Sequence, residues 1–203
     1  MLASIDHKFV LLCNPKSASS ALTSAYRKHA NFDVGRGSAW KHLSWVEHRE
    51  IFGSYFEDSG CSTFAVVRKP EDLLVSWWKF RQRPKIQNPK HPHHQNSTVG
   101  IPFETFVSEW ASPDPAPWAR IIEQPKVLGD GEGRPAPIRF FAYEDLPMLV
   151  ETLNERIGVE VEVPISNRSP NIDGGHVEPW MRELPRYQSS LEFYERCLQG
   201  EPG

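Results

Sequence analysis

The chain has 203 residues, with 23 Lys and Arg against 26 Asp and Glu and a formal net charge of -3. Hydrophobic residues make up 39% and charged residues 24%, which excludes collagen-like, coiled-coil and wholly disordered chains and is ample for a packed core. The mild acidity argues against a nucleic-acid-coating protein, and no apolar run approaches the roughly 20 residues needed to cross a bilayer. The early run from Phe9 to Cys13 is too short for a signal-peptide core. The three cysteines, Cys13, Cys61 and Cys197, have no metal-type spacing. A cytoplasmic, reducing setting is therefore expected, with no membrane and no nucleic-acid partner. Eighteen prolines and seven tryptophans are the unusual counts, and ten of the prolines fall between Pro84 and Pro137.

In chain order, residues 8–13 form a continuous apolar run without alternation, the pattern of a strand buried on both faces of a parallel sheet. Asn14-Pro15 breaks it. Ser17, Ser19 and Ser20 then precede Ala21, Leu22, Ala25 and Tyr26, which predicts a loop and a serine-capped helix to about His29. A helix is expected over 42–51. Thr63–Val67 is a second strand, ended by Arg68-Lys69, and Pro70 opens a helix whose first turn carries Glu71 and Asp72. Helical pattern disappears from Arg83 to Gly100, and 103–110 fits a short helix. A third strand is expected at 138–142, a helix at 144–157 with Gly158 as its C-cap, and a short strand or extended link at 159–163. A final amphipathic helix, 178–197, is weakened or kinked near Pro185. Strand–helix alternation argues one α/β domain over 1–203, a parallel sheet with flanking helices, carrying a proline-rich, loop-rich insert at about 84–137.

Ligands in open α/β sheets bind beyond the carboxyl ends of the strands, and residues 14–22 lie there. Helix-start N–H groups, the charge of Lys16 and the serine hydroxyls make this segment a candidate anion loop. It is not the nucleoside-triphosphate loop G-x-x-x-x-G-K-[ST], because no glycine precedes Gly35. A plain serine cap with an exposed lysine fits the segment equally well. At the end of the second strand, Arg68 and Ser76 are spaced to converge on one phosphate if the helix turn folds beside the strand end, guanidinium being suited to bidentate phosphate binding. The bland alternative pairs Arg68 with Glu71 or Asp72.

Together these segments resemble the sulfotransferases that use 3′-phosphoadenosine 5′-phosphosulfate (PAPS). Pro15-Lys16-Ser17-Ala18-Ser19-Ser20-Ala21-Leu22 looks like their 5′-phosphosulfate loop, with Ala18 where the family usually has glycine. Phe64-Ala-Val-Val-Arg68-Lys-Pro70-Glu-Asp-Leu-Leu-Val-Ser76-Trp77 is similar to their 3′-phosphate motif. Lys41-His42 and the following helix resemble a Lys-His element of the Golgi carbohydrate branch, and Phe141-Ala-Tyr-Glu144-Asp-Leu146 and Asn167-Arg168-Ser169 resemble weaker downstream signatures. The likeness covers 8–83 well, 138–170 loosely and says little about 84–137.

The resemblance implies the sulfotransferase fold related to P-loop nucleotide kinases, PAPS as co-substrate, no metal, and sulfuryl transfer to a hydroxyl or amine of a small-molecule or carbohydrate acceptor. Lys16 would stabilise the leaving oxygen. Ser17, Ala18, Ser19, Ser20 and Ala21 would hold the 5′-phosphate, Arg68 and Ser76 the 3′-phosphate, and Asn167, Arg168 and Ser169 would close over the nucleotide. A base must take the acceptor proton, and His42 is the first choice, with His48 and Glu47 as runners-up. Residues 79–94 carry five Lys or Arg, three His and no acid, either a solvated loop or an attraction for an anionic acceptor. Trp110 or Trp118 is a candidate acceptor platform, and Trp77 and Trp78 are expected in the core. Two other functions compete: an ATP-dependent small-molecule or nucleotide kinase, and a degenerate, non-catalytic nucleotide-binding module.

Overall fold

The computed structural model describes residues 1–35, 39–164 and 174–200. In chain order its elements are β1 (Leu2–Ser4), β2 (Phe9–Leu11), α1 (Ser19–Tyr26), β3 (Phe32–Asp33), α2 (Trp45–Asp58), β4 (Ser62–Val67), α3 (Pro70–Phe80), α4 (Pro84–Gln87), α5 (Phe103–Trp110), α6 (Gln124–Leu128), β5 (Arg139–Ala142), α7 (Leu146–Ile157), α8 (Pro179–Arg182) and α9 (Pro185–Gln199). The chain is mixed α/β and divides into two compact units. The first comprises 1–68, 123–167 and 193–203, and the second 69–122 and 168–192.

The first unit holds a five-stranded sheet in the order β3-β1-β2-β4-β5. β2 pairs parallel with β4, and β4 with β5, while β1 is antiparallel to both β2 and β3. Four strands therefore point one way and β1 alone is reversed. The parallel part was legible as three apolar runs. The missed strands, β1 and β3, have three and two residues, too short for a periodicity to register.

One sheet face, with Leu2, Phe9, Leu11, Phe64, Val66 and Phe141, packs against Leu22 and Tyr26 of α1 and Leu149, Leu153 and Ile157 of α7. The alternate residues Ala3, Val10, Ala65 and Val67 are also fully or almost fully buried, which is why β2 and β4 are apolar at successive positions. Tyr26 ties the two helices together, its hydroxyl donating to the Val150 carbonyl at 3.1 Å and meeting Asn154 Oδ1 at 2.8 Å. Gly158 closes α7 in the left-handed conformation, φ 71°, as its C-cap position predicts. Residues 159–163 form no strand.

The second unit has its own core. Leu73, Leu74, Trp77 and Trp78 of α3 pack with Phe103, Phe106, Val107 and Trp110 of α5, and with Val177, Met181 and Tyr187. Pro70 is the first residue of α3, with Glu71 and Asp72 in its first turn. The helix expected over 178–197 is two helices, because Pro185 opens α9 rather than bending a continuous one. The proline-rich stretch is not structureless. Pro84 and Pro125 sit in the first turns of α4 and α6, and the stretch is shared between the units at 122/123. No helix of the described residues is long and apolar enough to cross a membrane.

Candidate functional site

Because β2, β4 and β5 run parallel, their carboxyl ends lie along one edge, and the chain beyond them supplies Cys13–Ala18, Arg68 and Tyr143. The guanidinium of Arg68 donates to the Lys16 carbonyl at 2.9 Å and stacks on the Tyr143 ring, 4.1 Å from its centroid. Three strand ends thus meet on one side chain.

The loop itself is strained. Lys16 has φ 64° and Ala18 φ 56°, with Ser17 between them outside the positive region. For an L-residue with a Cβ this conformation costs about 1–2 kcal/mol. Ala18 thus takes the left-handed conformation that glycine would take without strain. It occupies the N-cap position of α1, and its carbonyl accepts from the Ala21 and Leu22 N–H groups at 2.9 and 3.1 Å. No side chain caps α1, so the expected serine cap does not form. The reason is burial: Ser17 is 1% exposed, its hydroxyl within 3.0 Å of Asn14 Nδ2, which donates to it. Ser19 is buried as well, and Ser20 Oγ accepts from Lys41 Nζ at 2.6 Å. Ala21 is buried as well.

Beneath the loop lies an amide network. Leu12 N–H continues the parallel ladder to the Phe64 carbonyl at 2.9 Å. Two residues on, the Asn14 side chain takes over, its two Nδ2 hydrogens shared among the Val66 carbonyl and Gln124 Oε1, both at 2.9 Å, and Ser17 Oγ at 3.0 Å. Gln124 Oε1 also accepts from Arg68 N–H at 2.8 Å, and its Nε2 donates to the Arg68 carbonyl at 2.7 Å. Asn14 is 1% exposed and Gln124 3%.

Of the three base candidates, His42 reaches the strand edge. Its Nδ1 lies 2.6 Å from the Cys13 carbonyl. A carbonyl only accepts, so Nδ1 carries the proton and Nε2 of the neutral ring is the acceptor. Burial holds the pKa of His42 below the ordinary imidazole value, against the opposing pull of the Cys13 carbonyl, with Lys41 adding to the depression. His48 is 2% exposed among Trp45, Phe52 and Phe56, and burial drives its pKa down to about 4. Glu47 is engaged in a capping box: Oε2 accepts from Ser44 N–H and Oγ at 2.8 and 2.7 Å, which keeps its carboxyl below the usual range.

Ser76 lies buried on α3 in the second unit. Asn167, Arg168 and Ser169 fall outside the described residues. Trp110, expected as an acceptor platform, is 2% exposed and part of the second unit's core, whereas Trp118 is half-buried. Among the described residues no group of three or more His, Cys, Asp or Glu gathers in a metal-type cluster, and His91 Nδ1 accepts from the His93 main-chain N–H at 3.1 Å.

Sequence reasoning missed Asn14 as a brace and Gln124 altogether. Asn14 had a signal, an amide at a strand end directly before a proline that cannot donate to the ladder. Gln124 had none, standing 110 residues from one partner and 56 from the other. Comparison with protein-family models, with curated proteins and with solved structures returns no match in any of the three.

Proposed function

We propose that the protein is a PAPS-dependent sulfotransferase of P-loop-like fold acting on a hydroxyl or amine of a small-molecule or carbohydrate acceptor. The observation that carries this reading is the strained loop. Two non-glycine residues at positive φ, Lys16 and Ala18, flank Ser17 where strand ends meet; the Lys16 carbonyl accepts from Arg68, and the buried Ser17 hydroxyl meets Asn14. Strain maintained in this way is characteristic of ligand-binding sites, and left-handed turns of this kind direct main-chain N–H groups towards an anion.

The residues fit a phosphosulfate in chemical terms. The Ser19 and Ser20 N–H groups, at the first two positions of α1, precede its first intrahelical hydrogen bonds, and a helix N-terminus favours negative charge. Lys16 and Lys41 bring two ammonium groups to the loop, the latter fixed on Ser20. Arg68 supplies a planar cation beside it. PAPS, when bound, supplies the sulfuryl group, whose acceptor bond forms as its bond to the 5′-phosphate breaks. Lys16 neutralises charge gathering on the departing phosphate oxygen, and the loop N–H groups orient the phosphate. His42 Nε2 takes the proton of the attacking hydroxyl or amine, while the Cys13 carbonyl holds the ring in the tautomer that can do so.

Ligand-dependent thermal unfolding tests this assignment. Adenosine 3′,5′-bisphosphate at about 100 times its dissociation constant should add about 2.7 kcal/mol of stability. ADP at the same concentration should add much less, and magnesium should change neither result. Equal stabilisation by ADP would remove the 3′-phosphate from the assignment and favour a kinase.

A further inference from the structure

The geometry points to Gln124 as a positioning residue that sets Arg68 and the Pro15–Ser20 loop in register for anion binding. This inference rests on the loop being an anion site, but not on the anion being PAPS.

A primary amide carries one acceptor oxygen and two donors, the same complement as a peptide group with one N–H to spare. Gln124 uses it as a strand residue would, taking the Arg68 N–H on Oε1 and giving an Nε2 hydrogen to the Arg68 carbonyl. Both main-chain groups of Arg68 are thereby fixed, one residue beyond the last residue of β4. Oε1 accepts a second hydrogen bond from Asn14, whose amide also reaches Val66 and Ser17. A single side chain, 3% exposed, therefore fixes the base of Arg68 and, through Asn14, the underside of the loop. Arg68 closes the circuit from above by donating to the Lys16 carbonyl.

The chain path gives this clip a second consequence. The first unit is left after Arg68 and re-entered at Glu123. Gln124 and Arg68 thus join the two ends of the intervening excursion at the residue whose guanidinium holds the loop. Without that clip, the loss of main-chain hydrogen bonds at Arg68 would shift the guanidinium and relax the left-handed turn it supports.

The test is calorimetric titration of the full chain with adenosine 3′,5′-bisphosphate and, separately, with inorganic pyrophosphate. Gln124→Met keeps the side-chain length and removes all three hydrogen bonds. It should weaken binding roughly 10- to 100-fold, the range seen when an orienting contact behind a ligand-binding group is lost. Unchanged affinity with a lower melting temperature would make Gln124 purely structural and overturn the inference. A double-mutant cycle checks the route. In an Arg68→Lys background, Gln124→Met should cost no more than about threefold further, because the group it positions is already altered; the full loss again would overturn action through Arg68.

Gln124→Glu provides a second variant of the same size. Ionised, it has no donor for the Arg68 carbonyl; as the neutral acid it regains one. Its affinity at about pH 8 should fall below that of wild type, and an unchanged affinity there would count against the clip. If wild type binds pyrophosphate but not the bisphosphate, with the same variant losses, the sulfotransferase assignment fails and the clip stands. If it binds neither, both fail.

Discussion

At the residue scale, the proposed group with the clearest geometry is His42. A general base must be unprotonated and must present a lone pair, and the two conditions are met by different parts of the structure. Burial keeps the ring neutral, and the Cys13 carbonyl chooses which nitrogen carries the hydrogen. The folded pKa lies below the ordinary 6.5, so the proposed base is predominantly neutral at neutral pH and gains its proton as pH falls through that lowered value. Turnover under saturating PAPS should therefore hold at neutral pH and fall in acid, with a midpoint below that of an ordinary imidazole. His42→Ala should lower kcat by about 10²- to 10⁴-fold and change bisphosphate affinity less than about threefold. Retained turnover would move the base elsewhere. Lys41-His42 was visible in the sequence as a pair, and Lys16, Arg68 and Ala18 were visible as motif positions. What sequence could not supply was the sign of φ at Ala18. An alanine ordinarily keeps a negative φ, and the left-handed value at Ala18 stands beside hydrogen bonds of Asn14 to Ser17 and of Arg68 to Lys16 whose partners lie too far apart in the chain for a local pattern to encode them all.

At the element scale, α2 shows why two of the three base candidates stand apart. Ser44 and Glu47 make a capping box that begins the helix, so the carboxylate does structural work. One position further on, His48 turns into the apolar stripe with Trp45, Phe52 and Phe56, its ring stacked on Phe56 at 5.8 Å between centroids. Its Nδ1 is buried without a hydrogen-bond partner among the described residues. Pattern alone does not separate a histidine in a helix core from one facing a ligand, since both sit on the inward face. The folded pKa of about 4 lies below the unfolded value of 6.5, so above pH 6.5 both states are neutral and folding pays nothing. Below it the unfolded chain binds the proton first, and stability is lost progressively down to about pH 4. The difference corresponds to roughly 3 kcal/mol. Urea unfolding at about pH 7 and about pH 4.5 should show this component, and His48→Phe should shrink the loss between the two by about 2–3 kcal/mol. An unchanged acid sensitivity would place the titrating group elsewhere.

At the scale of the whole molecule, the long apolar runs and the proline-capped and glycine-capped helices were readable because each is encoded within a few neighbouring residues. The division into units was not. Composition runs without a break across 122/123, and membership there is decided by contacts made far along the chain. Charge misleads in the same way. The basic stretch from Lys79 to His94 reads as a solvated loop or an attraction for an anionic acceptor, yet its members separate on folding. Lys85 and Lys90 are exposed, whereas Arg81 is 4% exposed. Its guanidinium donates to the carbonyls of Trp118 and Arg120 at 2.6 and 2.5 Å and lies 5.1 Å from the centre of the Trp77 ring. Burial lowers its pKa to about 10, which still leaves it charged at neutral pH. Arg81 thus secures the segment after α5 to α3 within the second unit and is withdrawn from any encounter with an anionic acceptor. Arg81→Met keeps the aliphatic packing but leaves those carbonyls without their donors, and hydrogen bonds to a charged group are worth about 1.5–3 kcal/mol each. A loss of about 2–4 kcal/mol in urea unfolding is expected, with Arg81→Lys recovering only part because an ammonium lacks the planar fork that spans two carbonyls. A loss below about 0.5 kcal/mol, the behaviour of an ordinary surface position, would return Arg81 to the cationic surface.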